Sequence, residues 1–263
     1  VNTEINKLSP SRKNLKARAV GIIPARFAST RFPGKPLVEI AGKTMVMRVY
    51  EQAKKASSLA DVVVATDDER ILNHVWSMGG NAVMTSNTHV SGTDRCAEAV
   101  EILKEEYDVV VNIQGDEPFQ QPSTIDAIVA LFDDKEVQIA SVMRQLKNIK
   151  SILNPNRVKV VFNRNNDALY FSRQPIPYEA NGDHRMAVGT SAFYLHVGMY
   201  AFRASTLKSI TALEISRLEA LESLEQLRWL ENGYTIRMVE TLLDSPSVDV
   251  PEDLEKLTSF LTT

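Results

Sequence analysis

Three apolar, β-branched runs, Ala19 to Pro24, Asp61 to Thr66 and Asp108 to Gln114, alternate with stretches of helical periodicity, and this alternation restricts the fold more than any other feature. The helices are expected from about Met45 to Ala56, Asp68 to Met78, Thr93 to Glu106 and Ser123 to Phe132. Runs such as VVVAT and VVVNI are apolar at consecutive positions, so both faces of each strand need cover. A parallel sheet flanked by helices supplies it. The expected class is therefore α/β, a doubly wound and mainly parallel sheet. Ligands bind such sheets beyond the carboxyl ends of the strands. Polar residues collect there, with ARFASTR after the first run, TDDER after the second and QGDEP after the third.

From about residue 137 to 203 the pattern changes to strand-like stretches with little helix, VQIASVM, RVKVVFN, DALYFSR and FYLHVGMYAFR. It reads as a strand-rich excursion from the main sheet. A polar loop, EANGDHR at 179 to 185, interrupts it. One helix is then expected over SRLEALESLEQLRWLENG, with an apolar stripe through Leu218, Leu221, Leu224 and Leu227 and Gly233 just past its end. A last strand, YTIRMVE, precedes SVDVPEDLEKL, where Pro251, Glu252 and Asp253 suit the first turn of a helix. No linker divides residues 19 to 263, so a single domain is expected behind a flexible basic tail at 1 to 18.

At 263 residues, 44% hydrophobic and 24% charged, the composition is that of a globule with a sizeable core. A formal net charge of −3 argues against a surface built to coat nucleic acid. The single cysteine, Cys96, excludes an internal disulfide framework and a cysteine metal cluster, and it suits a reducing cytoplasm. Residues 1 to 18 are basic without an apolar segment, so they do not read as a secretory signal. No stretch approaches the roughly 18 to 20 apolar residues of a membrane helix.

The first polar edge carries three cations, Arg26, Arg31 and Lys35, in the segment IIPARFASTRFPGKPL. Gly34 lets the backbone turn sharply beside the lysine, and Pro33 and Pro36 stiffen the path. Such a loop suits a polyanion, with a solvated basic loop as the alternative. Gly42-Lys43-Thr44 imitates the end of a P-loop, but the glycine required five positions before Gly42 is Leu37. A G-x-G-x-x-G fingerprint of dinucleotide-binding enzymes is also absent after every strand. In VNIQGDEPF, Asp116 and Glu117 stand on a turn where a strand runs out, a place from which a carboxylate can hold Mg²⁺ against phosphates. Asp249 in SVDVPEDL offers a second carboxylate, or else caps a helix. Ser91, Gly92 and Thr93 in THVSGTDR offer backbone and hydroxyl groups to a base edge, or an N-cap. Asp67 is similarly open between a cap and a ligand contact.

In their order along the chain these segments resemble the sugar nucleotidyltransferases, and within them the 3-deoxy-manno-octulosonate (Kdo) cytidylyltransferase family. The likeness runs from about Ala19 to Leu257 and includes VVVATDDERI, ALYFSRQPIP, HVGMYAFR and LEALESLEQLRWLENG. It implies a Mg²⁺-dependent, cytoplasmic homodimer that joins CTP to Kdo for lipopolysaccharide synthesis. Arg26, Lys35 and Asp116 would be catalytic. Ala25, Arg26, Lys35, Thr66, Asp67, Ser91, Gly92, Thr93 and Gln114 would meet the nucleotide. Asp116 and Asp249 would hold the metal, and Arg173, His196, Tyr200, Glu222 and Gln226 would meet the sugar acid. His196 and Tyr200 fall four apart in a strand-like run and so share a face; Glu222 and Gln226 fall four apart on one helix. Dimer contacts are expected near Phe193, Tyr194 and Leu195. The chain departs from the family in having Asp94 where Glu is common, and Tyr194 and Leu195 where the pattern is more basic. The rival expectations are a cytidylyltransferase for another sugar acid, such as N-acylneuraminate or an amino-substituted octulosonate, and a non-catalytic nucleotide sensor.

Overall fold

A computed structural model of the protein describes residues 17–28, 32–180, 193–248 and 250–254. Most of the basic tail, Arg31, most of the polar loop at 179 to 185, and Asp249 lie outside the described residues.

The alternation read from the sequence becomes strand β1 (Ala19–Ala25), a short β2 (Glu39–Ile40) and β3 (Lys43–Thr44) hairpin, α1 (Met45–Ala53), β4 (Leu59–Thr66), α2 (Glu69–Ser77), β5 (Ala82–Met84), α3 (Gly92–Leu103), β6 (Val109–Asn112) and α4 (Pro122–Ala130). After these come β7 (Ile139–Gln145), α5 (Ile149–Leu153), β8 (Lys159–Phe162), β9 (Ala168–Ser172), β10 (Tyr194–Arg203), α6 (Ala204–Ile210), α7 (Arg217–Glu222), α8 (Gln226–Glu231) and β11 (Ile236–Glu240). The main sheet runs β11-β7-β10-β6-β1-β4-β5. Its pairs are parallel except those of β10, which runs antiparallel to both β6 and β7. β5, at the sheet edge, was not legible in the sequence because three residues carry too little pattern.

The doubly apolar strands are covered on both faces, as their composition requires. On one face Val46, Val49 and Tyr50 of α1, Ile71 and Val75 of α2, and Ile125 and Ile128 of α4 pack on Ile23, Val64 and Val111. On the other, Cys96 and Ala99 of α3, Leu207 of α6, and Leu227 and Trp229 of α8 pack on Val20, Val63 and Val110. Trp229 is fully buried and meets Tyr200 and Phe202 edge-on, with centroids 5.0 and 5.4 Å away. Truncating such a side chain costs about 3–5 kcal/mol, so this contact locks α8 onto β10.

The excursion expected over 137 to 203 is realised as the β8–β9 hairpin, which pairs with the start of β10; β7 and β10 on either side of it belong to the main sheet. Phe193 is buried with Leu146 and Ile152, Leu195 packs on the same cluster, and Tyr194 meets Phe162 edge-on at 4.9 Å. Phe193 thus belongs to the chain's own core, whereas Tyr194 and Leu195 pack on it and remain partly exposed.

The helix expected over 216 to 233 breaks in two. Ser216 caps α7 through a reciprocal pair with Glu219, and Ser223 ends it in the left-handed region at φ 53°. Leu221 is consequently exposed rather than part of a continuous stripe. Gly233 does follow the end of α8, at φ 82°.

Candidate active site

The carboxyl ends of β1, β4 and β6 stand in register, with Ala25 beside Thr66 and Ile22 beside Asn112. Three polar segments meet there because small residues let them. A Cβ on Gly115 would come within 2.9 Å of the Pro24 carbonyl oxygen, and one on Gly92 within 3.2 Å of the Pro24 ring. The QGDEP turn and the first turn of α3 therefore press against the end of β1.

The basic loop is closed at its neck. Gly34, at φ 72°, donates its N–H to the Phe27 carbonyl at 2.9 Å, and the Phe27 ring lies against it and under the Arg70 guanidinium. This geometry aims the next residue inward. Lys35 Nζ donates to Asp116 Oδ2 and to the Val248 carbonyl, each at 2.9 Å, while the Val248 N–H donates to the Asp116 carbonyl at 2.9 Å. Three distant segments are thus tied at one lysine, and residue 249 follows directly from the tie. Arg26, exposed after β1, makes no ion pair with a described residue.

Other expected nucleotide contacts have structural partners. Asp67 Oδ2 accepts from Arg95 Nη2 at 2.9 Å; Arg95 is 1% exposed and also donates to Thr85 and Ser86. Asp68, not Asp67, caps α2. Thr66 is buried and its hydroxyl accepts the Asp68 N–H. Ser91 caps α3 in a reciprocal pair with Asp94, so the shorter acid serves where Glu is common. Thr93 donates to Glu225 Oε2 at 2.8 Å, and burial raises the Glu225 carboxyl above its ordinary range. Gln114 Nε2 donates to the Gly198 carbonyl at 2.8 Å.

On the sugar side the expectations divide. His196 and Tyr200 do share a face, with ring centroids 5.2 Å apart, as their even spacing along β10 requires, even though the pairing with β7 shifts register between Val197 and Tyr200. His196 Nε2 pairs with the Ser141 hydroxyl at 2.9 Å, and burial pushes its pKa down to about 3. Tyr200 and Gln226 are buried. Glu222 and Gln226 are not neighbours on one helix, because the break at Ser223 separates them. Glu222 instead accepts from the Ser172 hydroxyl at 2.6 Å and the Arg173 N–H at 3.0 Å. The Arg173 guanidinium donates to the carbonyls of Pro155, Glu222 and Ser223. Those partners are neutral, so its charge is available to an anion.

Arg95, Lys159 and Glu225 were missed in the sequence. Lys159 is fully buried and donates to the carbonyls of Asn154 and Arg173, fixing the backbone that carries Arg173. Burial lowers its pKa. The available signal was a charged residue inside each apolar pattern, VKVVF for Lys159 and SLEQL for Glu225.

A cytidylyltransferase family model matches residues 20–241. The 3-deoxy-manno-octulosonate cytidylyltransferase of Parabacteroides distasonis is 52% identical over 92% of this chain and 97% of its own. That of Cytophaga hutchinsonii is 46% identical over 91% of this chain and 96% of its own. Among solved structures, CMP:2-keto-3-deoxy-manno-octonic acid synthetase complexed with CTP superposes with a TM-score of 0.87 and 41% identity, over 94% of this chain and 99% of that one.

Proposed function

The chain belongs to the cytidylyltransferase family, and on that premise we propose that it transfers the cytidylyl group of CTP to Kdo, giving CMP-Kdo and pyrophosphate, in the cytoplasm and for lipopolysaccharide synthesis. The observation that carries the reading is the tie of Lys35 to Asp116 and Val248 at the carboxyl ends of the strands. It gathers a cation, a carboxylate and the segment bearing Asp249 where a triphosphate would lie. The curated relatives and the CTP-complexed neighbour support the same substrates.

In this reading the anomeric hydroxyl of Kdo attacks the α-phosphorus, a P–O bond to the sugar forms, and the bond to the β-phosphate oxygen breaks. Arg26 and Lys35 would bind the departing pyrophosphate, the arginine by a two-pronged grip and the lysine as a compact charge. Ala25, Thr66, Asp67 and Gln114, with the first turn of α3 from Ser91 to Thr93, would border the cytidine. Arg173 would take the sugar carboxylate, and His196, Tyr200, Glu222 and Gln226 would surround its hydroxyls. Alignment of nucleophile and leaving group supplies much of such a rate.

Mg²⁺ takes one or two protein carboxylates and completes its shell with phosphate oxygens and water. Asp116 fits: it is partly accessible, and only its Oδ2 has a side-chain partner among the described residues. No larger cluster of acidic, histidine or cysteine residues able to hold a metal occurs among those residues. Asp116 with Asp249 would hold the ion, which when bound would neutralise charge on the phosphates and acidify the attacking hydroxyl.

No described helix is long and apolar enough to cross a membrane. A homodimer through the lobe built on β8, β9 and α7 is part of the proposal, supported by the exposed Leu169, Ile215 and Leu221. Sedimentation showing only monomer at micromolar protein would remove it. The substrate pair is tested by pyrophosphate release from four nucleoside triphosphates crossed with Kdo, N-acetylneuraminate and an amino-substituted octulosonate. CTP with Kdo should give the highest kcat/KM; a preference for another pair refutes the reading.

A further inference from the structure

The apolar run VVVNI of β6 is interrupted by one amide, Asn112, at the carboxyl end of the strand. Asn112 is only 3% exposed, and its Oδ1 is buried without a hydrogen-bond partner among the described residues. Keeping such an atom unpaired costs free energy that an apolar residue of similar shape would not. Another valine would also suit the strand better than asparagine does. The fold therefore gives no reason for this amide, and its open acceptor calls for a partner from outside the chain.

The surroundings of Asn112 say which part of a ligand it would meet. It stands directly opposite Tyr200 in the antiparallel β6–β10 pair, so the two side chains share a face of the sheet. A Cβ on Gly92 would lie 3.6 Å from Asn112 Nδ2, which sets the amide against the first turn of α3. Asn112 thus adjoins both the turn assigned to the nucleoside and the tyrosine assigned to the sugar acid, an assignment that rests on the proposed function. Between those two ends of the reacting pair lie the ribose and the α-phosphate. Phosphate oxygens only accept, so they leave Oδ1 unpaired. The cytosine amine donates, but it lies at the end of the nucleotide remote from the reacting phosphorus. A ribose hydroxyl donates as well as accepts, and two neighbouring hydroxyls match both ends of an amide. The terminal torsion of asparagine is broad and roughly two-fold, so either end turns to a ligand at little cost. We propose that Asn112 is a specificity-determining residue whose amide binds a ribose hydroxyl of CTP and so selects the ribonucleotide over its deoxy forms.

The test is calorimetric titration of the whole chain, with Mg²⁺ and without Kdo, by CTP, 2′-deoxy-CTP and 3′-deoxy-CTP, in wild type, Asn112→Leu and Asn112→Val. The wild type should bind CTP at least about fivefold more tightly than one of the two analogues. In both variants that ratio should fall below about twofold, because CTP weakens while the analogue, which already lacks the hydroxyl, does not. Thermal midpoints should stay level or rise, since each substitution removes an unpaired buried amide. An asparagine with a merely structural role would lower them instead. Equal wild-type affinity for CTP and both analogues would overturn the assignment, as would failure of CTP to bind or a ratio that survives in the variants. Midpoints lowered by more than about 5 °C in both variants would overturn it too. A wild type that discriminates as expected yet releases no pyrophosphate from CTP and Kdo would refute the proposed function and leave the ribose contact standing.

Discussion

Lys35 and Asp116 are 81 positions apart in sequence and 2.9 Å apart in space, and the same ammonium reaches the Val248 carbonyl. Without nucleotide the lysine and the carboxylate neutralise each other. A bound triphosphate would compete for the lysine and release an oxygen of Asp116. In the proposed reaction the pair would thus link occupation of the phosphate site to readiness of the metal site.

Lys35→Met keeps the apolar stem and removes the charge. A partly exposed ion pair is worth up to about 1 kcal/mol, so the thermal midpoint should move by only a few degrees, roughly as expected for that energy. Turnover of CTP should fall on the order of 100-fold, about 2.7 kcal/mol of transition-state stabilisation. An unchanged rate at both limiting and saturating CTP would remove Lys35 from the site.

Gly115→Ala tests whether close approach at Pro24 sets the turn that bears Asp116. The added Cβ would lie 2.9 Å from a backbone oxygen, which cannot yield as a side-chain tip can. Overpacking of this kind costs about 1–3 kcal/mol, and turnover should drop more than tenfold in protein that remains folded by circular dichroism. Full activity would show that the turn tolerates displacement.

Ser223→Gly bears on the break between α7 and α8. Ser223 sits at φ 53°, where a side chain is unfavourable by about 1–2 kcal/mol and glycine is not. The substitution should raise the denaturation midpoint or leave it unchanged. A marked loss of stability would indicate that the serine side chain holds the break.

His196 gives a pH signature. Its folded pKa, about 3, lies well below the ordinary histidine value of 6.5, so the unfolded chain takes up the proton first as pH falls. Its contribution is fully present above about pH 6.5 and is lost toward pH 3, by at most about 1.4 kcal/mol per pH unit. In urea titrations at pH 7.5 and 5.5, His196→Gln should lose less stability on acidification than the wild type. Equal losses would mean that His196 is not held neutral.

The strands and their covering helices were legible because an apolar run with no polar face has few alternatives to a covered parallel sheet. The meeting of Lys35 and Asp116 was legible because the polar segments after the strands of such a sheet gather along one edge. The break at Ser223 was not, since the leucine spacing continues through it and a serine in the left-handed region leaves no pattern. The partners of Asp67 and Glu222 were equally hidden: Arg95 is 28 positions from Asp67, and Ser172 is 50 from Glu222. Only tertiary packing brings them together. Lys159 was hidden for a related reason, because an alternating strand pattern does not say which of its polar positions folds inward.

The central claim, transfer of a cytidylyl group to a sugar acid, is tested most directly by ³¹P NMR of the protein with CTP, Kdo and Mg²⁺. The triphosphate signals should give way to pyrophosphate and a single phosphodiester resonance, with the product carrying the combined mass of CMP and Kdo less water. With Kdo omitted, the spectrum should stay that of CTP. Intact CTP in the complete mixture, or CTP cleaved at the same rate without Kdo, would contradict the account.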